Sequence, residues 1–427
     1  MRFAVPNVEG NRIRIAFDAV ASDKASLTAL ARVDGRDGLL FVERKELSVD
    51  AASSRHALEV PVLDDATELT VTFALEGGTV TVDALELDGA STLDRPPPSP
   101  SAERYVDFAL DLIERHSLYR DRLDGLAFRR AVMEQARGAT TWADAHFAVR
   151  FAIGLLGDTH GWLRTPERAE ALGRAPVSNA RTGRPPLEPE GFMLRGHAAY
   201  LLVPGFAGGS HLQQVAFAEK LQALIRSLDE AGACGWIVDL RRNSGGNLWP
   251  MLLGVGPLLG DGDAVVAIHP DGRRESAWYR DGKVGLGDLA RLRVRGDAYR
   301  VRGASRIALL TGPRTASAGE IVALAFRGVG VTRLFGAETA GATTGTRTFV
   351  LPDGAELVLA VVTIGDRNGR PQIGPLEPDV PTDVGTRDAP LADDAAVRAA
   401  LAWLRGDAFE SCAGSGTMRG RSAERAR

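Results

Sequence analysis

The sequence predicts an α/β protein: a mainly parallel sheet behind a small helical segment, with an all-β region ahead of both. Three observations carry this. From Tyr200 onward, short apolar runs alternate with helical patterns, the signature of a parallel sheet buried on both faces. Residues 101–165 keep their apolar side chains at helical spacing. Residues 1–92 alternate with period two. A length of 427 residues accommodates about two or three such domains.

The N-terminal strands are legible one by one. Arg12–Phe17, His56–Val62, Thr67–Phe73 and Thr79–Leu87 alternate, separated by turn signals at Asp34-Gly35, Asp37-Gly38 and Gly77-Gly78. This spacing predicts a sandwich or jelly roll with an accessory role over 1–92. Asp94–Pro100 holds four prolines and reads as a stiff linker, placing a boundary at 93–100.

In 101–165, Tyr105, Phe108, Ala109, Leu112 and Ile113 share one helix face. Thr141 and Asp144 form a capping-box pattern ahead of Phe147, Phe151 and Leu155, and Gly157 stops that helix. Residues 166–197 are a polar connection, too short for a further domain. The core, 198–405, opens with the run Tyr200–Val203. Ser210 and Gln213 then cap an amphipathic helix, and Gly235–Leu240 is the next strand. Arg306–Leu310, a helix through Ile321–Phe326, and Thr332–Phe335 make the third unit. Glu356–Val362 is a further strand and Asp393–Leu404 a closing helix; the Gly- and Arg-rich tail 406–427 is expected to be disordered.

Composition narrows the function. Lys plus Arg number 51 against 55 Asp plus Glu, for a net charge of −4, so the chain lacks the basic footprint of a nucleic-acid partner. No apolar run is long enough to span a bilayer. The N-terminus lacks the apolar core of a signal peptide, so the sequence as it stands is expected in the cytoplasm; an exported chain trimmed of its leader would read the same. The two cysteines, Cys234 and Cys412, read as isolated thiols, with neither a disulfide framework nor a zinc site.

Chemistry concentrates around Ser317, between a strand and a helix. Unpaired N–H groups and the helix dipole favour negative charge there, as acyl transfer requires of a nucleophile with an oxyanion site beside it. A plain helix cap is the simpler reading of the same serine. The Gly245-Gly246 turn ends a neighbouring strand, and strand ends of a parallel sheet gather on one edge. Of the seven histidines, His160 lies on a loop, two residues after Asp158; His116 and His146 fall in helical patterns and His56 among the strands.

Four blocks in order carry a resemblance: Leu156-Gly-Asp-Thr-His160, Trp236–Gly246, Thr315-Ala-Ser-Ala-Gly-Glu-Ile321 and Glu338–Gly345, with a weaker fifth at Leu376–Val380. Together they resemble the C-terminal processing (tail-specific) serine peptidases, a family that also holds the tricorn core and interphotoreceptor retinoid-binding protein. The resemblance implies a crotonase-like ββα core, a small N-terminal helical subdomain and, over 1–92, a jelly-roll-like domain. It implies peptide hydrolysis with Ser317 as nucleophile and an oxyanion hole from Ala318 with Gly245 or Gly246. Substrate contacts are implied at Asn243, Gly341 and Thr343. The dyad lysine of the processing peptidases is replaced by Ala342, so the tricorn-like base His160 is the one expected here. The third catalytic group matches Gln372, with Asp366 and Glu377 as substitutes nearby. Residues 166–197 are expected to leave no room for the PDZ domain that the processing peptidases carry. The expected partner is a peptide or protein substrate; no metal or organic cofactor is required, and homo-oligomer formation is left open. The alternative is a weak or inactive peptidase-fold binding protein for a peptide or an apolar ligand.

Overall fold

The computed structural model describes all residues except 6–9, 23–24, 36–37, 64–65, 77–78, 93, 175–186, 195–196, 303–305, 384–390, 392 and 406–427. The expected tail, Cys412 and the turn at Gly77-Gly78 fall outside the described residues. The chain divides into two compact units, Met1–Glu170 with Thr346–Val361, and Ala171–Gly345 with Val362–Arg427.

In the first unit the N-terminal strands form two antiparallel sheets. One is ordered Arg2–Ala4, Ala66–Glu76, Ala25–Gly35, Gly38–Val49; the other is Ser54–Pro61, Arg12–Ala21, Val80–Ala90. Period-two alternation puts Ile13, Ile15, Phe17, Leu27 and Leu69 fully inside. Burying each such side chain contributes about 1.5–3 kcal/mol. Three helices follow, Pro100–His116, Gly125–Gln135 and Trp142–Leu155, the last opened by the expected Thr141–Asp144 capping box. Strands and helices share one apolar core, in which Tyr105, Leu110 and Val149 meet Leu47 and Leu63. Arg12 adds a buried polar tie: its guanidinium donates to the side chain and carbonyl of Gln135, pairs with Glu59 at 2.6 Å, and lies 3.8 Å from the Phe147 ring centre.

The second unit holds a six-stranded sheet, ordered Val380–Pro381, Val331–Gly336, Arg306–Thr311, Gly235–Asp239, Ala198–Leu202, Glu190–Leu194. Every neighbouring pair is parallel except the last. The two strands Ala198–Leu202 and Gly235–Asp239 are buried throughout, because helices cover both faces of a parallel sheet. The helices His211–Glu230, Leu248–Leu259 and Ala318–Ala325 each follow a strand of this sheet. Ala395–Leu404 closes the core around Tyr200, Ile237 and Phe335.

Three features differ from the sequence reading. The segment 166–197, expected as a polar connection, holds the helix Pro166–Arg174 and the strand Glu190–Leu194, which pairs with Ala198–Leu202, so the core sheet begins before residue 198. An antiparallel meander, Gly262–Ile268, Arg274–Arg280, Lys283–Leu286 and Leu289–Arg293, is inserted after the Leu248–Leu259 helix. Cys234 is not an isolated thiol but disulfide-bonded. It packs against the core that the C-terminal helix closes, a proximity that sequence separation conceals.

Candidate active site

Three loops meet at the carboxyl ends of adjacent parallel strands in the second unit. The loop after Arg306–Thr311 brings Ser317 to the start of the Ala318–Ala325 helix. Ser317 takes φ +52° and ψ −122°, a region that non-glycine residues avoid because the Cβ crowds the backbone. Such a conformation costs about 1–3 kcal/mol and persists only where its surroundings enforce it.

Those surroundings are identifiable. The Glu320 carboxylate accepts the Ser317 N–H at 2.8 Å through one oxygen. Its other oxygen accepts the Gly341 N–H at 2.8 Å and the Thr339 hydroxyl. Thr339 in turn accepts the Leu376 N–H at 2.8 Å. Burial pushes the Glu320 carboxyl above its ordinary range, against the pull of these donors.

The loop after Gly235–Asp239 presses on Ser317 from the neighbouring strand. Gly245 has φ +91°, and a Cβ there would fall 2.7 Å from the Ala316 carbonyl oxygen and 2.8 Å from Ser317 Cβ. Only glycine allows that approach. Gly246, at φ +111°, bridges to Phe206 on the third loop; a Cβ on it would sit 2.1 Å from the Phe206 oxygen. Asn243 holds the turn from inside. It is fully buried, donates to the Val203 carbonyl at 3.1 Å and to Met251 sulfur, and accepts the Gly245 N–H at 3.0 Å. The Ala316 N–H donates to the Asn243 carbonyl at 3.0 Å, and Thr315 Oγ1 donates to the Leu240 carbonyl.

The structure thus brings Ser317, Ala318, Gly245 and Gly246 together, and ties Gly341 to them through Glu320. Ala318 occupies the first turn of its helix, where a backbone N–H has no intrahelical partner. Asn243 has no surface to offer a substrate; its contacts are those of a residue that shapes the turn. Thr343 is buried, and its hydroxyl donates to the Gly374 carbonyl. The Gln372 amide is engaged on both ends: it accepts from Arg327 at 3.0 Å and donates to the Pro375 carbonyl at 3.0 Å. Asp366 caps its own turn, accepting the N–H groups of Asn368 and Arg370, and Glu377 is exposed. Thr315, Thr339 and Phe206 join the cluster without having been singled out in the sequence.

His160 belongs to the first unit. It is buried, on the loop after Trp142–Leu155, with its ring centre 6.0 Å from that of Trp162. Asp158 fixes the loop: one carboxylate oxygen accepts the His160 backbone N–H at 3.0 Å and the other the Ala360 N–H at 2.9 Å. Burial pushes the Asp158 carboxyl up, opposed by these N–H donors.

A strained serine at a helix start, with a glycine turn pressed against it, places a hydroxyl beside backbone N–H groups, a geometry that acyl-transfer chemistry can use. Residues 197–382 match the family model described as Peptidase family S41. Over these residues the chain is similar to peptidase family S41, a match that supports a peptidase. The nisin-resistance protein of Lactococcus lactis subsp. lactis is 29% identical over 288 residues, covering 67% of this chain and 85% of that protein. A lipoprotein from Streptococcus agalactiae shares the fold with TM-score 0.57 at 23% identity, over 72% of this chain and 96% of that one. The photosystem II D1 C-terminal processing protease does so with TM-score 0.50 at 16% identity, over 72% and 98%. Among the described residues, no helix is long and apolar enough to cross a membrane.

Proposed function

We propose that the chain hydrolyses peptide bonds through an acyl-enzyme on Ser317, with His160 as its base. The observation that carries this reading is the Ser317 backbone at φ +52°, pressed against the Gly245-Gly246 turn at the strand ends. A serine that only capped a helix would have no need of a strained backbone.

In the proposed mechanism the Ser317 hydroxyl attacks a peptide carbonyl while His160 takes its proton. The oxyanion is held by the N–H groups of Ala318 and Gly246; the Gly245 N–H is already given to Asn243. His160 then protonates the leaving amine, and a water molecule, activated by the same imidazole, releases the acid product. His160 is assigned from its motif and its chemistry. Gln372 is carried forward as the group that orients the base, and would exchange one of its present bonds to do so. Gly341, linked to Ser317 through Glu320, is the proposed substrate contact on the far side of the nucleophile. We read the core as crotonase-like, which its parallel strand–helix units support, and 1–92 as a jelly-roll-like accessory domain, which its two antiparallel sheets support.

The competing reading is a peptidase-fold binding protein, and Ala342 in place of a lysine is the feature that favours it. Cytoplasmic residence draws no support from relatives that include a lipoprotein. The test is hydrolysis of a peptide library, with nisin included because of the name of the Lactococcus relative. Cleavage by the wild type and none by Ser317→Ala is expected; equal cleavage by both would overturn the assignment.

A further inference from the structure

We propose that Glu320 is a positioning residue for the nucleophile, fastening the strained Ser317 backbone to the 339–341 segment so that the two are set as one unit. The inference rests on the peptidase reading of the same site. Its basis is the donor set around one buried carboxylate. Glu320 has no exposed surface, and accepts the Ser317 N–H on one oxygen and the Thr339 hydroxyl and Gly341 N–H on the other. Each of these partners donates, as does the Ala342 N–H, and Thr339, which accepts the Leu376 N–H, gives its own proton to Glu320. An amide fits such a set worse than a carboxyl group: it would turn an N–H group either toward the Ser317 N–H or toward the Gly341 N–H and the Thr339 hydroxyl.

The geometry gives this cluster a consequence beyond packing. By taking the Ser317 N–H, Glu320 removes that donor from the oxyanion side and leaves the Ala318 N–H, next along the chain, to serve there. It also counteracts the tendency of Ser317 to relax from φ +52°. The neighbouring carbonyl of Thr315 accepts the Ala340 N–H at 2.9 Å, so the segment before the nucleophile is tied to the same loop. A shift of the loop and a shift of Ser317 are therefore one event.

The test measures both the rate and the final stoichiometry of fluorophosphonate labelling of the full chain. Glu320→Gln is expected to reach the wild-type stoichiometry, but with a rate lowered roughly 10- to 100-fold, as misplacement of a reacting group does. A purely structural residue would instead lower the labelled fraction and leave the rate of that fraction unchanged, which would overturn the proposal. Thr339→Val removes one donor and should slow labelling less. In the double variant the loss should fall short of the product of the two single losses, because both act through one cluster. If Glu320→Gln does not fold, Thr339→Val decides: full stoichiometry at a lower rate supports the proposal, and a wild-type rate overturns it. A wild type that takes no label overturns the peptidase reading and this inference with it. A wild type that labels beside a Glu320→Gln variant that labels as fast overturns this inference alone.

Discussion

The carboxylate of Glu320 accepts the backbone N–H of Ser317 at 2.8 Å, and Ser317 stands at φ +52°. The residue whose hydroxyl is proposed to react is thus also a site of stored backbone strain. Glycine enters this region without a Cβ penalty. Ser317→Gly is therefore expected to be more stable than Ser317→Ala by about 1 kcal/mol, although both lose all labelling. Chemical denaturation of the two variants measures the difference; equal stabilities would show that the serine backbone is relaxed.

The Gly245-Gly246 turn makes a second prediction. In Gly245→Ala the added methyl must clear the Ala316 carbonyl and Ser317 Cβ, both under 3 Å away, at φ +91°. The expected cost is about 3 kcal/mol of stability and a labelling rate lowered on the order of 100-fold. Unfolding curves and labelling kinetics check both.

Asn243 is buried and satisfied by three partners. Asn243→Leu keeps the volume but strands the Val203 carbonyl and the Gly245 N–H. The expected loss is about 3 kcal/mol, from two buried polar groups left without partners. A variant as stable as the wild type would mean that the turn holds itself.

Two carboxylates, the buried Glu320 and the half-buried Asp353, should pull stability in opposite directions with pH. Burial raises Glu320, so its contribution is present below the unfolded pKa of about 4.3 and is lost as pH rises through the higher folded value. For Asp353, burial pushes the carboxyl up, but the Ala355 N–H, His146 at 2.7 Å and Tyr105 at 3.0 Å hold it below its usual range. Its contribution is present above an unfolded pKa of about 3.9 and is lost as pH falls through the folded value. As pH is lowered toward the unfolded value of about 4.3, the wild type should gain in Tm on Glu320→Gln; as it falls below about 3.9 it should lose ground to Asp353→Asn. Tm differences independent of pH would contradict both assignments.

The strand–turn–helix pattern made Ser317 and the Gly245-Gly246 turn legible in the sequence, because apolar strands and capped helices fix where a loop begins. Their meeting on one sheet edge followed from the parallel order. The meander at 262–293 was not legible: charged residues and glycines interrupt its alternation, so period two never dominates. The occupation of the Gly245 N–H by Asn243, and of the Gln372 amide by Arg327 and Pro375, depends on side chains reaching backbone in particular conformations, which spacing does not encode. Glu320 stood within a legible block, but its link to Thr339 and Gly341 spans a turn whose path only the fold defines.

The most direct test of the central claim is fluorophosphonate labelling of the wild type beside Ser317→Ala and His160→Ala, with the folding of each verified by circular dichroism. A single label on Ser317 in the wild type, lost in both folded variants, is the predicted result. A folded wild type that takes no label, or a Ser317→Ala variant that still takes it, would contradict the account.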